Sequence, residues 1–462
     1  MNVPDNYMWP MKNKEHKPFI HQIETTEFLL ENKRAFLLSD MGTGKTLSAL
    51  WASDILMIEK KIKRVLIVTP LSTMQIVWGK EIFENFPHRT FCVAHGTREY
   101  RIQALNAKAD YIIINHDGVT MLYDEIIKSG FDLIIIDELT AFKNNTSNRT
   151  KAMKKVTAKK TQPVWGLTGE PTPNGPSEAF GQAKVVNPFN PFLPKYFKEF
   201  QFKVEYCVSE YLWFPTSNAN NEVFKILQPA IRYERDKCID IPPCVKELIE
   251  IPMTSQQTDL YNQMKRELMI EYEQGIITAA NAGVKILKLL QISSGAVKDD
   301  NGGVMLIDDK HRMDYIEQTI DEMGKRKKII IFCAFRAAIA KLHDYLEKRK
   351  LKVNDIHGSV QQNDRAKIIR EFQDGDTNVL IIQPQSCAHG VTLTAANVSL
   401  WQSLMASGEV FNQANARITR IGQDRKQYIK LPYSNPTEKR LISILDGKDI
   451  FSRSVLSLFS DL

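Results

Sequence analysis

Cysteine is scarce. Six residues of 462 (Cys92, Cys207, Cys238, Cys244, Cys333 and Cys387) lie scattered, and no two form a C-x-x-C pair. So thin a supply excludes a disulfide-dense scaffold and leaves a zinc site without ligand pairs. Reduced buried thiols in a cytoplasmic protein are the expectation. Long apolar runs are missing too: none approaches the ~18 to 20 residues needed to cross a bilayer. The opening MNVPDNYMWP lacks a basic stretch followed by an apolar one, so no secretory leader is expected. No segment repeats with a solenoid period, and there is no low-complexity tail. Charge of one sign is also limited. There are 61 Lys+Arg against 54 Asp+Glu, which leaves +7. That balance permits a polyanionic partner without demanding one.

What remains is the composition of a globular chain, 43% hydrophobic and 25% charged, with apolar material for more than one core. Short Val/Ile/Leu-rich runs recur: AFLLS at 35–39, RVLIVTP at 64–70, DYIIINH at 110–116, DLIIIDE at 132–138 and VWGLTG at 164–169. None alternates, which is how strands buried on both faces of a parallel sheet read. Helical spacers such as TLSALWASDILMIEKK suit βαβ crossovers. A second series follows with KKIIIFCA at 327–334, KVNDIHG at 352–358, NVLIIQP at 378–384 and NVSLWQS at 397–403. The chain therefore reads as two α/β lobes. The first spans residues 1–240, with a core over 18–180 and a helical, aromatic extension over 181–240. The second spans 241–462, with a helical lead-in over 255–300 and a core over 310–450. The break falls near Pro242–Pro243. The aromatics of 187–240 are expected to be core of the extension.

The run Ser39-Asp40-Met41-Gly42-Thr43-Gly44-Lys45-Thr46 follows the first strand and opens a helix. Glycines let a backbone wrap round phosphates with its N–H groups turned inward, and a helix start adds positive dipole. Lys45 would reach the β- and γ-phosphates of ATP, and the Thr46 hydroxyl would ligate Mg²⁺. Ser39 stands where the usual pattern has its first glycine. Asp137 and Glu138 end the strand LIII. Asp137 there suits a Mg²⁺ site, and Glu138 suits a general base for the attacking water.

With these residues in view, the chain resembles the Snf2-like translocases of helicase superfamily 2. The likeness runs from about residue 18 to 445. It rests on HQ at 21–22, DMGTGKT at 40–46, VTPLSTMQIVW at 68–78, DELTAFKN at 137–144 and LTGEPTPN at 167–174. In the second lobe it continues with KIIIFCAF at 328–335, GVTLTAAN at 390–397 and QANARITRIGQ at 413–423. The resemblance implies two RecA-like parallel-sheet lobes in tandem, with small helical insertions between them. It implies that Gln22 reads adenine, that Gln413 and Gly390 border the nucleotide, and that Arg417 and Arg420 reach across from lobe 2. The two arginines share one face if QANARITR is helical. Two departures stand out: Thr140 replaces the family's histidine after DEL, and Glu170 occupies a position the family keeps small.

The same resemblance implies an ATP-driven motor on DNA. Candidate backbone contacts are Thr69, Ser72, Thr73, Asn115, His116 and Thr168 in lobe 1, and Phe335, Arg336, His357 and Gly358 in lobe 2. All follow strand ends. The acid-free stretch NRTKAMKKVTAKK at 148–160 is a further candidate for DNA contact. The chain has little room beyond the motor, so the expected work is on duplex, forked or branched DNA in replication, recombination or repair. A remodeller that strips proteins from DNA, or an RNA helicase, is the alternative.

Overall fold

The computed structural model describes residues 3–12, 17–209, 212–238, 242–273, 279–298, 303–324, 328–387, 392–420 and 422–445. They form two compact units that divide between residues 240 and 241. Among the described residues, no helix is long and apolar enough to cross a membrane.

The first unit is built on a seven-stranded sheet in which every pairing is parallel. Its strands are β1 (Arg34–Leu37), β2 (Val65–Thr69), β3 (Phe91–Ala94), β4 (Tyr111–Asn115), β5 (Leu133–Asp137) and β6 (Val164–Leu167). After a hairpin of β7 (Glu205–Ser209) and β8 (Leu212–Pro215), β9 (Ala230–Ile231) completes it. The order across the sheet is β3-β4-β2-β5-β6-β1-β9. Alternate residues serve opposite faces. Leu66, Val68, Ile112, Ile114, Ile134 and Ile136 enter one core, while Val65, Ile67, Ile113, Leu133 and Ile135 enter the other. With both faces covered, neither can be polar, and the strands read as unbroken apolar runs.

Two strands of this sheet were not expected from the sequence. β3 is a half-buried edge strand, and β9 is only two residues long. The extension also differs from expectation. Helices Ala179–Val186, Phe197–Val204 and Ala219–Ile226 bury Phe180 and Phe200. Yet Phe192, Tyr196, Phe202, Tyr206 and Phe214 are exposed, and the hairpin stacks Tyr206 on Phe214. Those aromatics are surface rather than core.

The second unit carries a six-stranded sheet, again with every pairing parallel, in the order β10-β17-β16-β13-β15-β14. The strands are β10 (Cys244–Glu250), β13 (Lys328–Phe332), β14 (Val353–Ile356), β15 (Val379–Ile382), β16 (Ala396–Trp401) and β17 (Gln427–Tyr433). A small ladder of β11 (Ala296–Lys298) and β12 (Val304–Leu306) precedes them, after the helices Ser255–Glu273 and Ala279–Ser293. β10 and β17 escape a sequence reading because their apolar residues alternate with Lys, Glu and Gln. A buried ion pair locks this unit. Arg312 and Glu438 are 2% and 1% exposed and bond through both nitrogens and both oxygens at 2.9 and 2.7 Å. Arg312 also donates to Gln402 O and Ser434 Oγ.

Candidate nucleotide site and nucleic-acid edge

Register brings the first unit's chemistry to one edge. Leu37 pairs with Leu167, and Leu167 pairs with Asp137. The ends of β1, β6 and β5 therefore lie level, with β6 between the glycine loop and the acids. Two strand spacings set Asp137 about 10 Å along the edge from Leu37. Thr69 and Asn115 end β2 and β4 at the same edge. Ligands of open α/β sheets sit beyond this carboxyl edge.

The glycine loop is shaped by two left-handed residues, Gly42 at φ 89° and Gly44 at φ 84°. Gly44 caps the helix Lys45–Ile58. A Cβ on Gly44 would lie 2.0 Å from Nε2 of Gln22, so no side chain fits there. Gln22 uses its Oε1 to accept from Phe19 N at 3.0 Å and keeps its amide nitrogen against the loop. His21 bonds Thr43 O at 2.9 Å through Nε2. Burial holds its ring below the usual histidine pKa. Lys45 Nζ donates to Ser39 O at 2.7 Å and Asp40 O at 2.9 Å. These are neutral acceptors, and an anionic phosphate is a better partner for an ammonium. The Ser39 hydroxyl accepts from Tyr233 N at 3.0 Å, which accounts for a serine where the pattern has glycine. Thr46 is half-buried at the start of the helix. Ammonium, hydroxyl and turned backbone form a donor set that fits a polyphosphate with a hard divalent metal.

Asp137 is held rigidly. Its Oδ2 accepts from Trp78 Nε1 at 2.8 Å and Thr69 Oγ1 at 3.1 Å, and its Oδ1 accepts from Glu138 N at 3.0 Å. Lone pairs remain for a further partner. Trp78 belongs to a π-helical turn, Met74–Gly79. Such turns recur at functional sites, and the sequence carried no sign of its role beyond the W of VTPLSTMQIVW. Glu138 sits at φ 52°, ψ 63°, a left-handed conformation that is unfavourable for glutamate. Its Oε1 accepts from Thr140 Oγ1 at 2.8 Å. The residue that departs from the family pattern thus holds the carboxylate beside it.

The expected phosphate-contact residues separate into two groups. Thr69, Thr73, Asn115, His116 and Thr168 are buried, and their side chains serve internal bonds. Thr69 and Thr73 bond each other at 2.6 Å, Asn115 Oδ1 accepts from Arg101, His116 Nε2 bonds Asp137 O, and Thr168 Oγ1 accepts from Glu170 N. In this arrangement they brace the edge rather than present hydroxyls to solvent. Ser72 is half-buried. In the second unit Arg336 and Gly358 are exposed, while Phe335 and His357 are half-buried. Arg336 reaches Ser359 Oγ at 3.0 Å, and Gly358 N donates to Gln383 Oε1.

The basic stretch 148–160 is partly spent as well. Arg149 pairs with Asp117 at 2.5 Å, and Lys155 lies 4.3 Å from the Tyr123 ring centre. Burial, followed by Lys184 and Lys151, pulls Lys154 below the usual lysine pKa. Arg417 and Arg420 do not share a helix. The helix Gly408–Asn415 ends before them, and Gln413 lies buried within it. Arg417 is 4% exposed. Arg420 is half-buried and donates to Ala416 O and Thr392 Oγ1. Gly390 lies outside the described residues.

Arg232, Tyr233 and Arg235, unforeseen from the sequence, follow β9 and bond the loop residues Leu38 to Asp40. Only the strand pairing reveals them, because nearly 200 residues separate them from the loop.

Comparison with known proteins finds matches across both units. The SNF2-related domain matches residues 21–301, and the helicase conserved C-terminal domain matches 311–422. Protein p41 of Acyrthosiphon pisum secondary endosymbiont phage 1 is 28% identical over 90% of either chain. The Drosophila melanogaster SWI/SNF-related matrix-associated actin-dependent regulator of chromatin subfamily A-like protein 1 is 24% identical over 86% of this chain. The human DNA annealing helicase and endonuclease ZRANB3 is likewise 24% identical over 86% of this chain. This chain spans only 50% and 36% of those two animal proteins. The chain thus belongs to the SNF2-related family, as an ATP-hydrolysing enzyme of the helicase type.

Proposed function

We propose that this enzyme uses ATP and Mg²⁺ to move along duplex DNA and that it works at forks or branches. The carrying observation is the level carboxyl edge of the first sheet. It sets Lys45 on the glycine loop and the Asp137-Glu138 pair at the level ends of two strands that flank β6. Lys45 would exchange its two loop carbonyls for phosphate oxygens. Thr46 and Asp137 would hold the metal, which supplies charge neutralisation on the phosphates. Glu138 would take the proton of a water whose oxygen bonds the γ-phosphorus as the bond to the β-bridging oxygen breaks. That transition state gathers negative charge, and Arg417 and Arg420 of the second unit are assigned to offset it. Hydrolysis would then depend on residues of both units. The name of one relative, the DNA annealing helicase and endonuclease ZRANB3, supports DNA as the track.

The test is an ATPase panel with no nucleic acid, single-stranded DNA, linear duplex, forked DNA and RNA. Stimulation is expected to be greatest with forked or duplex DNA. Equal rates in all five reject a DNA motor, and preference for RNA turns the assignment to an RNA helicase.

A further inference from the structure

β9 runs beside β1 and leads directly into a clamp on the glycine loop. Leu38 N donates to Ile231 O at 2.9 Å. The next residue, Arg232, has a side chain only 5% exposed. It donates through one nitrogen to Leu38 O at 2.9 Å and meets Asp40 Oδ1 at 3.0 Å. Asp40 N donates to Tyr233 O at 3.0 Å, and Arg235 N donates to Asp40 Oδ2 at 3.1 Å. Lys45 grips the same stretch from the other side through the carbonyls of Ser39 and Asp40. Residues 38 to 40 are thus held by two cations, which meet at Asp40, and on the proposed reading Lys45 would leave for a phosphate. When Lys45 turns to a phosphate, Ser39 O and Asp40 O lose its donation, and Asp40 O keeps that of Thr43 Oγ1 at 2.9 Å. Arg232 does not face the same demand, because its partners are a backbone carbonyl and a carboxylate behind the loop.

We infer that Arg232 is a positioning residue. Through Asp40 it keeps the glycine loop in its open cradle shape, so that Lys45 can move to phosphate without the loop collapsing. The inference rests on the reading of this loop as the nucleotide site. A buried guanidinium is an expensive way to fix a loop, since burial also lowers its solvation. It is favoured over an apolar prop because Asp40 brings a full negative charge beside an anion-binding turn. Arg232 cancels that charge and would spare an incoming polyphosphate the repulsion.

The experiment compares wild type with Arg232→Met, Arg232→Lys, Asp40→Asn and the double variant Arg232→Met/Asp40→Asn. Binding of a fluorescent ATP analogue, without DNA, is titrated alongside steady-state ATPase. Loss of one charged hydrogen bond predicts a rise of about tenfold in Kd and KM for Arg232→Met, with kcat changed far less. Arg232→Lys should recover most of the loss. Asp40→Asn keeps the shape of a carboxylate that is 35% exposed, so it tests the same link even where Arg232→Met fails to fold. It should also raise KM, and the double variant should be no worse than Arg232→Met. Unchanged KM in Asp40→Asn, or additive losses in the double variant, would overturn the inference. A wild-type chain that binds no nucleotide at all would instead remove the reading of the loop.

Discussion

Glu138 is held in a backbone conformation that glutamate avoids, and its carboxylate is tied to Thr140. A strained residue persists only where its surroundings force it, and in the proposed mechanism the forced geometry would aim a base. Glu138→Gln should therefore bind ATP and DNA normally while turnover falls about 10²- to 10⁴-fold, read from single-turnover phosphate release. Lys45→Ala should abolish hydrolysis and weaken binding of the fluorescent nucleotide. Thr140→Val keeps the volume but removes the hydroxyl donor. Its expected signature is a fall in kcat of roughly tenfold, the worth of one hydrogen bond to a charged group, with KM for ATP unchanged. A matching rise in KM would show that Thr140 shapes the pocket rather than the carboxylate.

At the scale of elements, the sheets were largely legible in the sequence and the connections were not. Runs such as LIII and YIII announce strands because both faces of each are covered. β10 and β17 carry Lys, Glu and Gln along their length and give no such signal. The loop from Asp40 to Thr46 was readable because glycine, lysine and threonine stand together. Its backing by Arg232 was not, because parallel pairing joins residues distant in sequence. Nor did periodicity foresee that the helix Gly408–Asn415 would stop before Arg417, leaving the two arginines on the turn beyond it. The same limit hides the Arg312–Glu438 pair, whose partners lie on separate elements 126 residues apart. Removing one member strands a buried charge. Arg312→Met is expected to cost about 3 to 5 kcal/mol. For a unit of this size the midpoint of its melting transition should fall by roughly 10 °C. Calorimetry would read this directly, and a shift under about 2 °C would mean that the pair contributes little to stability.

At the scale of the whole molecule, the proposed motor assigns part of the chemistry to each unit and requires both. Arg420→Ala leaves the first unit's loop and acids untouched. It should nevertheless lower DNA-stimulated ATPase by about 10³ or more while nucleotide binding persists. Near-normal rates would mean that the first unit hydrolyses ATP alone. DNA affinity provides a separate measure of the track. If about six phosphates are neutralised, log K should fall against log salt with a slope of roughly −5, and a flat dependence would point away from a backbone-gripping surface.

The central place of β6 has a consequence for timing. The turn that follows it lies between the phosphate loop and the acids, and Gly169 rests against Met41 and the Ser39 carbonyl. A nucleotide that displaces Met41 would also press on Gly169, and with it on the Thr168–Glu170 hydrogen bond. On the proposed reading, the filling and emptying of the loop would thus reach the strand that stands between it and the acids.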